Sequence, residues 1–505
     1  MDYLRKLSLL SVLTGTVLAS RVIPPTVAAH LFYADQGLHP FSKQELNMAA
    51  TLSANSTTNS LLTAEAIAKI DAYLDAVYTQ GRFSGNVIIA QGKATVMTRS
   101  YGLANREHEV LNSRVTKFRI GSVTKQFTAV AILQLREQGL LDLQAPISTY
   151  LPDYPKGEQI TVHHLLTHTA GIPEYLDAEI FPDLAEWMRL PSSLDQLVDR
   201  FKDLPLEFGP GEKFKYSNSG YVLLTQIVET VSQQPYADYL QTNIFNPLGL
   251  ENTGYEIPQT VIPRLAQGYT FIGQDTYLQA SPFDMSIPQG AGGLYSTVQD
   301  LNIWNQWLHG DEVGTVLSEV ARSALMTPAV QMEPDENPDA FYGYGLVIDG
   351  HLGRQRIGHD GGISGFASSL AYYPEATLMI AVLSNLESRL PTKIVQDLAA
   401  IAFGEPYEIP QQPTVIEIDP AIYEQYVGTY QLLPEMQVTI RVEAGALTAQ
   451  ATGQDTFVLY PSSETDFFAE VADITVSFAL AGNGAVEGLT LYQLGQELFA
   501  PKIDP

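Results

Sequence analysis

Apolar residues recur at helical spacing between Ala64 and Tyr78, with Ile67, Ile70, Leu74 and Val77 on one stripe. The run Gly85 to Ala90 is then apolar and β-branched. Ala94 to Met97 and Tyr101-Gly102 follow after turn residues, so a helix leads into short antiparallel strands. Helical spacing returns over Lys125 to Gln138, with Phe127, Val130, Ala131, Leu133 and Leu135 on an apolar face and Gly139 as a C-terminal stop. From about 160 to 310, helical patterns broken by Pro and Gly dominate, Val222 to Ser232 and Tyr236 to Ile244 among them. Strand character resumes at Tyr342 to Ile348, Gln355 to Ile357, Ser368 to Tyr373 and Leu378 to Ser384, and Pro391 to Ile401 is helical again. Strands at both ends of a long helical section predict a mixed α/β domain of α+β type. An antiparallel sheet is assembled from both ends of the segment, flanked by helices, with an inserted all-α region.

Beyond residue 405 the pattern changes. Pro406, Pro410, Pro413 and Pro420, with Gln411 and Gln412, mark a linker over 406–420. Six alternating runs follow: Met436 to Val442, Leu447 to Gln450, Phe457 to Tyr460, Phe467 to Ala469, Ile474 to Phe478 and Leu489 to Tyr492. That density of short strands predicts a small all-β barrel or sandwich over 421–505.

Composition narrows the function classes. The chain has 505 residues, with 56 Asp and Glu against 28 Lys and Arg, a net charge of −28. Such a surface repels nucleic-acid backbones and anionic membranes. No cysteine is present, which removes disulfides, thiolate metal sites and thiol catalysis. Arg5 and Lys6 precede an apolar stretch from Leu7 to Ala19, with small residues at Val17-Leu18-Ala19 and Val27-Ala28-Ala29. This is the layout of a secretory leader, assigned here to 1–29, and it implies a periplasmic or secreted protein. An uncleaved signal anchor is the alternative, and no later segment is long and apolar enough to span a bilayer. Residues 30–61 read as a linker through the polar run Thr51 to Ser60, which leaves 62–405 as the main domain.

Three stretches carry candidate chemistry. In the first, Ser122 and Lys125 stand three apart at the start of a helix, which puts both side chains on one face. A serine hydroxyl needs a base, and a partly desolvated lysine one turn away supplies it. The bland alternative is a helix cap beside a solvated lysine, and S-x-x-K arises by chance about once in a chain of this size. The second is Lys215-Tyr216-Ser217-Asn218, where a phenol could carry a proton and an amide could hold a carbonyl or orient a lysine. Against this stands a plain buried tyrosine. The third is Gly358-His359-Asp360-Gly361-Gly362, whose glycines would admit a ligand or another backbone. There the competing reading is a Gly-rich hairpin with a solvated histidine.

The order S-x-x-K, Y-x-N, H-x-G, with separations of 94 and 143 residues, resembles the serine β-lactamase and penicillin-binding-protein superfamily. It is most similar to the branch of class C β-lactamases, D,D-carboxypeptidases and esterases. The resemblance runs from about 65 to 405 and includes Phe118 to Ser122, Leu165 to Gly171, Pro210-Gly211 and Ala291 to Thr297 with Asp300. It implies that Ser122 is the acylated nucleophile, that Lys125 shares its proton, and that Tyr216 acts as base or acid. It further implies that Asn218 contacts the substrate amide, and that the N–H groups of Ser122 and Gly362 form an oxyanion hole. His359, Asp360 and Gly361 would border the substrate, with His359 where many relatives have lysine. No metal or cofactor is implied; the partner is a small-molecule or peptide substrate. Tyr426-Val-Gly-Thr-Tyr430 resembles the opening of a lipocalin-like β domain carried by some relatives.

Asp360 departs from the threonine or serine of penicillin-recognising relatives. If its carboxylate points into the pocket, it repels a substrate carboxylate, by roughly 1 kcal/mol at about 4 Å in water and more at lower dielectric. Neutral His359 offsets little of this. The expectation is therefore a serine hydrolase of esters or amides, with D-alanyl-D-alanine carboxypeptidase or β-lactamase activity as the alternative and a non-catalytic binding relative as the second. Three weaker signals take the bland reading. His164 and His168 share helical spacing beside His163 without a carboxylate ligand. Asp335-x-Asn337-x-Asp339 lacks the later positions of a calcium loop. Ser364 misses a nucleophile elbow because Phe366 stands where glycine is needed.

Overall fold

The computed structural model describes residues 61–503, apart from 272–275, 311–315, 334–336, 410–414, 434–435, 444, 453–455, 470–473 and 494–495. The leader, nearly all of the first linker, Asp335 and part of the second linker lie outside the described residues. The described residues divide into two compact units, one over Ala64–Thr414 and one from Val415 onward. Among the described residues, no helix is long and apolar enough to cross a membrane.

The first unit opens with α1 (Ala64–Thr79), which buries Ile70, Tyr73, Leu74 and Val77 along the expected stripe. Strands β1 (Gly85–Gln91) and β2 (Ala94–Tyr101) follow, then α2 (Thr124–Glu137), α3 (Asn218–Ser232) and α4 (Val298–His309). Strands β3 (Val330–Glu333), β4 (Asn337–Tyr342), β5 (Val347–His351), β6 (Arg354–Ile363), β7 (Phe366–Tyr373) and β8 (Leu378–Ser384) come next, and α5 (Leu390–Phe403) completes the unit. The eight strands form one sheet in the order β3-β4-β5-β6-β7-β8-β1-β2. The N-terminal pair is thus stitched onto the C-terminal run, with Gly85 opposite Ser384 and Gln91 opposite Leu378. Every residue of β8 is buried, and only Gln91 of β1 is not. A strand covered on both faces is apolar throughout rather than alternating, as these two sequences are.

Two expectations change on contact with the structure. First, α2 has no solvent-facing side over most of its length: every residue from Thr124 to Leu135 is buried, Lys125 and Gln126 included. A helix wrapped on all sides belongs to the centre of a domain. Its Phe127 stacks on Trp304 of α4 with centroids 3.9 Å apart, and Trp304 Nε1 donates to Gln126 Oε1 at 2.8 Å. Second, Tyr342 to Ile348 is not one strand. The chain turns between β4 and β5 through Gly345 at φ +73, where a Cβ would stand 2.6 Å from the Lys125 carbonyl oxygen. The turn is there because it packs against the backbone of α2, which only glycine allows.

Among its described residues the second unit holds eight strands, two more than the alternation reveals: β9 (Gly428–Leu433), β10 (Met436–Glu443), β11 (Ala446–Ala451), β12 (Phe457–Pro461), β13 (Asp466–Ala469), β14 (Ile474–Leu480), β15 (Val486–Gln493) and β16 (Gln496–Pro501). They pair sequentially and antiparallel, and a bridge between Tyr430 and Lys502 nearly closes the barrel. Its interior is filled by side chains such as Tyr430, Ile440, Leu447, Phe467, Phe478 and Leu489. Tyr426 stacks on Phe478 at 4.0 Å.

Candidate active site

Ser122 sits in a 3-10 turn, Gly121–Val123, that runs into the first turn of α2. The three-residue spacing does what helical geometry demands: Lys125 Nζ lies 3.1 Å from Ser122 Oγ. The ammonium has two further acceptors, Asn218 Oδ1 at 2.8 Å and the Ala291 carbonyl at 2.8 Å. Ala291 is aimed there because its short helix, Gln289–Gly292, is pinned to two longer helices. The Gly290 carbonyl accepts from Thr128 of α2 at 2.7 Å, and the Gly290 N–H donates to Thr225 of α3 at 2.9 Å.

Burial pulls the Lys125 proton affinity down to about 7, while the Glu174 carboxylate partly opposes this. Two of the three partners, an amide oxygen and a backbone carbonyl, can only accept. In the charged state the third N–H therefore donates to Ser122; in the neutral state the lone pair faces the Ser122 hydroxyl instead. Near pH 7 both states are populated, which is the condition for a proton carrier.

Asn218 opens α3, and its backbone N–H donates to Glu174 Oε2 at 2.6 Å. Glu174 Oε1 accepts from the Leu176 N–H at 2.9 Å. A carboxylate at a helix N-terminus is favoured by the peptide dipoles. Burial nevertheless raises its proton affinity, against the two backbone donors and Lys125. Tyr216 is half-buried, with its ring centroid 4.7 Å from Lys125 Nζ. Burial pushes its phenol proton affinity up, and the hydrogen bond with Ser122 pulls in the opposite direction. A serine, a lysine, a tyrosine and an asparagine drawn from two stretches almost a hundred residues apart thus meet as one cluster.

Strand β6 supplies the third wall. Strand β5 pairs with it only as far as Gly358, so among the described residues His359–Ile363 has a hydrogen-bonded neighbour on one side alone, β7. The Gly121–Val123 turn approaches this stretch closely. A Cβ on Gly361 would lie 2.1 Å from the Ile120 carbonyl, and one on Gly121 would lie 2.8 Å from the Gly362 nitrogen. Ser368 of β7 donates to the same Ile120 carbonyl at 2.8 Å. Gly358 and Gly361 are there for backbone contact, whereas a Cβ on Gly362 would meet nothing within 4 Å; the Gly362 backbone is brought beside the Ser122 turn.

His359 is buried rather than solvated, and β6 runs through it instead of turning. Its Nδ1 lies 2.6 Å from the Asp360 carbonyl, which can only accept, so Nδ1 carries the proton and Nε2 accepts from the Tyr342 hydroxyl at 3.1 Å. Burial and the nearby Lys125 pull its proton affinity down to about 3, so it is neutral at pH 7. Asp360 does not point as feared. Successive side chains on a strand alternate between faces. Asp360 is therefore opposite in direction to His359, exposed, and accepts a hydrogen bond from Ser369 Oγ at 2.6 Å.

The histidines of 163–168 are spoken for individually. His164 completes a capping box with Thr161, and His163 Nδ1 contacts the Tyr344 hydroxyl at 2.9 Å. His168 turns inward and lies against Tyr216. Ser364 donates to the Ser281 carbonyl at 2.6 Å. Sequence reasoning missed Glu174, the Ala291 carbonyl and Tyr342. An acidic residue directly after Pro173, beside family-like text, was the one signal that could have pointed to Glu174.

Comparison with known proteins bears on the whole arrangement. The family model described as Beta-lactamase matches residues 65–403, and a domain of unknown function (DUF3471) matches 412–503. A penicillin-binding protein of Bacillus subtilis (strain 168) is 31% identical over 436 residues, covering 82% of this chain and 94% of its own. Among solved structures, the octameric penicillin-binding protein homologue from Pyrococcus abyssi superposes with a TM-score of 0.60 at 28% identity, over 86% of this chain and 99% of that one. A D-stereospecific amidohydrolase from Streptomyces superposes with a TM-score of 0.55 at 26% identity, over 65% of this chain and 97% of that one. With the family model spanning 65–403, nearly all of the unit that holds Ser122, Lys125 and Tyr216, the chain belongs to the beta-lactamase family of serine hydrolases.

Proposed function

We propose that the protein hydrolyses esters or amides through a covalent acyl-enzyme on Ser122. The observation that carries this is the threefold seat of Lys125, buried, near neutrality in proton affinity, with its one variable hydrogen bond directed at Ser122 Oγ. In this reading Ser122 Oγ attacks the substrate carbonyl and its proton passes to Lys125 Nζ. The carbonyl oxygen gains the electron pair and is held by the N–H groups of Ser122 and Gly362. Tyr216 passes its phenol proton to the leaving group as the carbonyl re-forms and takes the serine-derived proton from Lys125 in exchange. Water then attacks the acyl-enzyme by the same route in reverse, releasing the acid. Asn218 would divide its amide between Lys125 and the substrate. No metal or cofactor enters any step.

Neutral His359 favours substrates without a carboxylate beside the scissile bond, because it offers a hydrogen-bonding ring and no charge. This sets esters and amides ahead of D-alanyl-D-alanine peptides and β-lactams, the substrates suggested by the relatives named penicillin-binding proteins. The amidohydrolase resemblance at 26% identity points the same way. Export through the N-terminal segment belongs to the same proposal.

The test uses intact mass after incubation with a fluorophosphonate probe and, separately, a labelled penicillin. Wild type should gain one fluorophosphonate adduct and Ser122→Ala none. Rapid stoichiometric acylation by penicillin would favour the β-lactam reading, and an unlabelled wild type would remove the hydrolase altogether.

A further inference from the structure

We infer that His168 is the positioning residue of Tyr216, holding the phenol against Ser122 from three directions at once. The inference rests on the reading of Tyr216 as a proton carrier. The His168 carbonyl accepts the Lys215 N–H at 2.9 Å, and its ring Nδ1 accepts the Ser217 N–H at 3.2 Å. The backbone on both sides of Tyr216 is thereby tied to one residue. Between these two tethers the imidazole lies against the Tyr216 ring itself, with centroids 4.2 Å apart and planes 33° apart.

His168 occupies this place at a cost. Its backbone is left-handed, φ +57, a conformation uncommon outside glycine, although histidine adopts it more readily than most side chains do. Its Nε2 is buried without a hydrogen-bond partner among the described residues, and a buried N–H without a partner is a rare defect. A phenylalanine would fill the same space among Phe214, Tyr221 and Tyr342 without that unpaired donor. What the imidazole adds is the acceptor for Ser217, and that acceptor exists only while Nδ1 is unprotonated. Burial and the neighbouring Lys125 and His359 keep the ring neutral. The other titratable side chains facing it are Tyr216, Tyr221 and Tyr342. The strained backbone and the lone nitrogen are explained together if the element being fixed is the tyrosine.

The experiment is a double-mutant cycle in the full chain. His168→Asn keeps a side-chain acceptor and tolerates the left-handed backbone but loses the ring. His168→Phe keeps the ring but loses the acceptor. Each is measured alone and with Tyr216→Phe, using a p-nitrophenyl ester, with active sites counted by fluorophosphonate titration. The expected result is a 10- to 100-fold fall in kcat per titrated site for each single His168 variant. KM should stay within twofold and the pH profile should keep its limbs. In the Tyr216→Phe background, the same His168 changes should alter the residual rate less than twofold. Equal losses in both backgrounds would overturn the inference. So would a fall in titratable sites with full kcat per remaining site, or the disappearance of a limb from the pH profile. If Tyr216→Phe by itself keeps full activity, the parent reading of Tyr216 fails and takes this one with it, a result distinct from the three above.

Discussion

Glu174 Oε2 accepts the backbone N–H of Asn218 at 2.6 Å, and Asn218 Oδ1 in turn accepts from Lys125 at 2.8 Å. One carboxylate therefore seats the amide and also raises the proton affinity of the buried amine. Glu174→Gln keeps the shape and removes the charge, at the loss of one of the two backbone N–H bonds that the carboxylate accepts. Lys125 then loses its proton more readily, so the acid limb of kcat/KM, which reports neutral Lys125, should move to lower pH by about half a unit to one unit. Initial rates of ester cleavage from pH 5 to 9 check this. A limb that moves upward or stays fixed would refute the assignment of the limb to Lys125.

Lys125→Met should lower acylation by ~10²–10⁴-fold, the range for losing a positioned proton carrier. It also makes a stability prediction with a definite sign. The unfolded chain holds this proton up to the ordinary lysine value of 10.5, whereas the folded protein releases it at about 7. Between those values the unfolded state binds one proton more, so wild-type stability rises with pH, by ~1.4 kcal/mol per pH unit from this group alone. The stability difference, wild type minus Lys125→Met, should climb from pH 7 to 10 and stay level below 7. Denaturant unfolding at stepped pH measures it.

Gly345→Ala should act at a distance from the serine in sequence and next to it in space. The new methyl meets the Lys125 carbonyl at 2.6 Å, and the backbone there is left-handed at φ +73. The expected loss is ~2 kcal/mol or more in folding stability. Because the turn packs on α2, residual kcat should fall as well. Thermal unfolding followed by active-site titration separates the two effects.

His359→Lys places a cation where the family resemblance implies one. The substrate preference should shift toward carboxylate-bearing peptides relative to a neutral ester. A tenfold change in the ratio of kcat/KM values corresponds to about 1.4 kcal/mol. Competition between a D-Ala-D-Ala peptide and a p-nitrophenyl ester reads that ratio. No change in it would mean that the ring at 359 does not face the substrate.

Legibility in the sequence followed from the range of the interaction. Ser122 and Lys125 were readable because helical spacing alone brings them together. Tyr216, Asn218 and Gly362 could be joined to them only through family resemblance, since no local pattern reports contacts between distant stretches. The Ala291 carbonyl left no trace because a backbone acceptor has no residue identity. The orientation of Asp360 was open until pairing with Ser369 fixed the strand's faces. Strand β9 was seen only as a motif. Strand β16 was missed because the exposed Phe499 sits at an outward position and blurs the alternation.

The seam between β1 and β8 has a consequence for how the protein comes into being. Ser384 Oγ reaches back to the Ser84 carbonyl at 3.0 Å, across 300 positions of chain. An emerging polypeptide would make the segment around residue 85 long before its central partner leaves the ribosome. Closing so long a loop is entropically slow. Until then β1 has β2 on one edge and no partner on the other, so its apolar backbone edge stays open. A chain cut short of residue 384 would therefore be an aggregation hazard rather than a smaller enzyme.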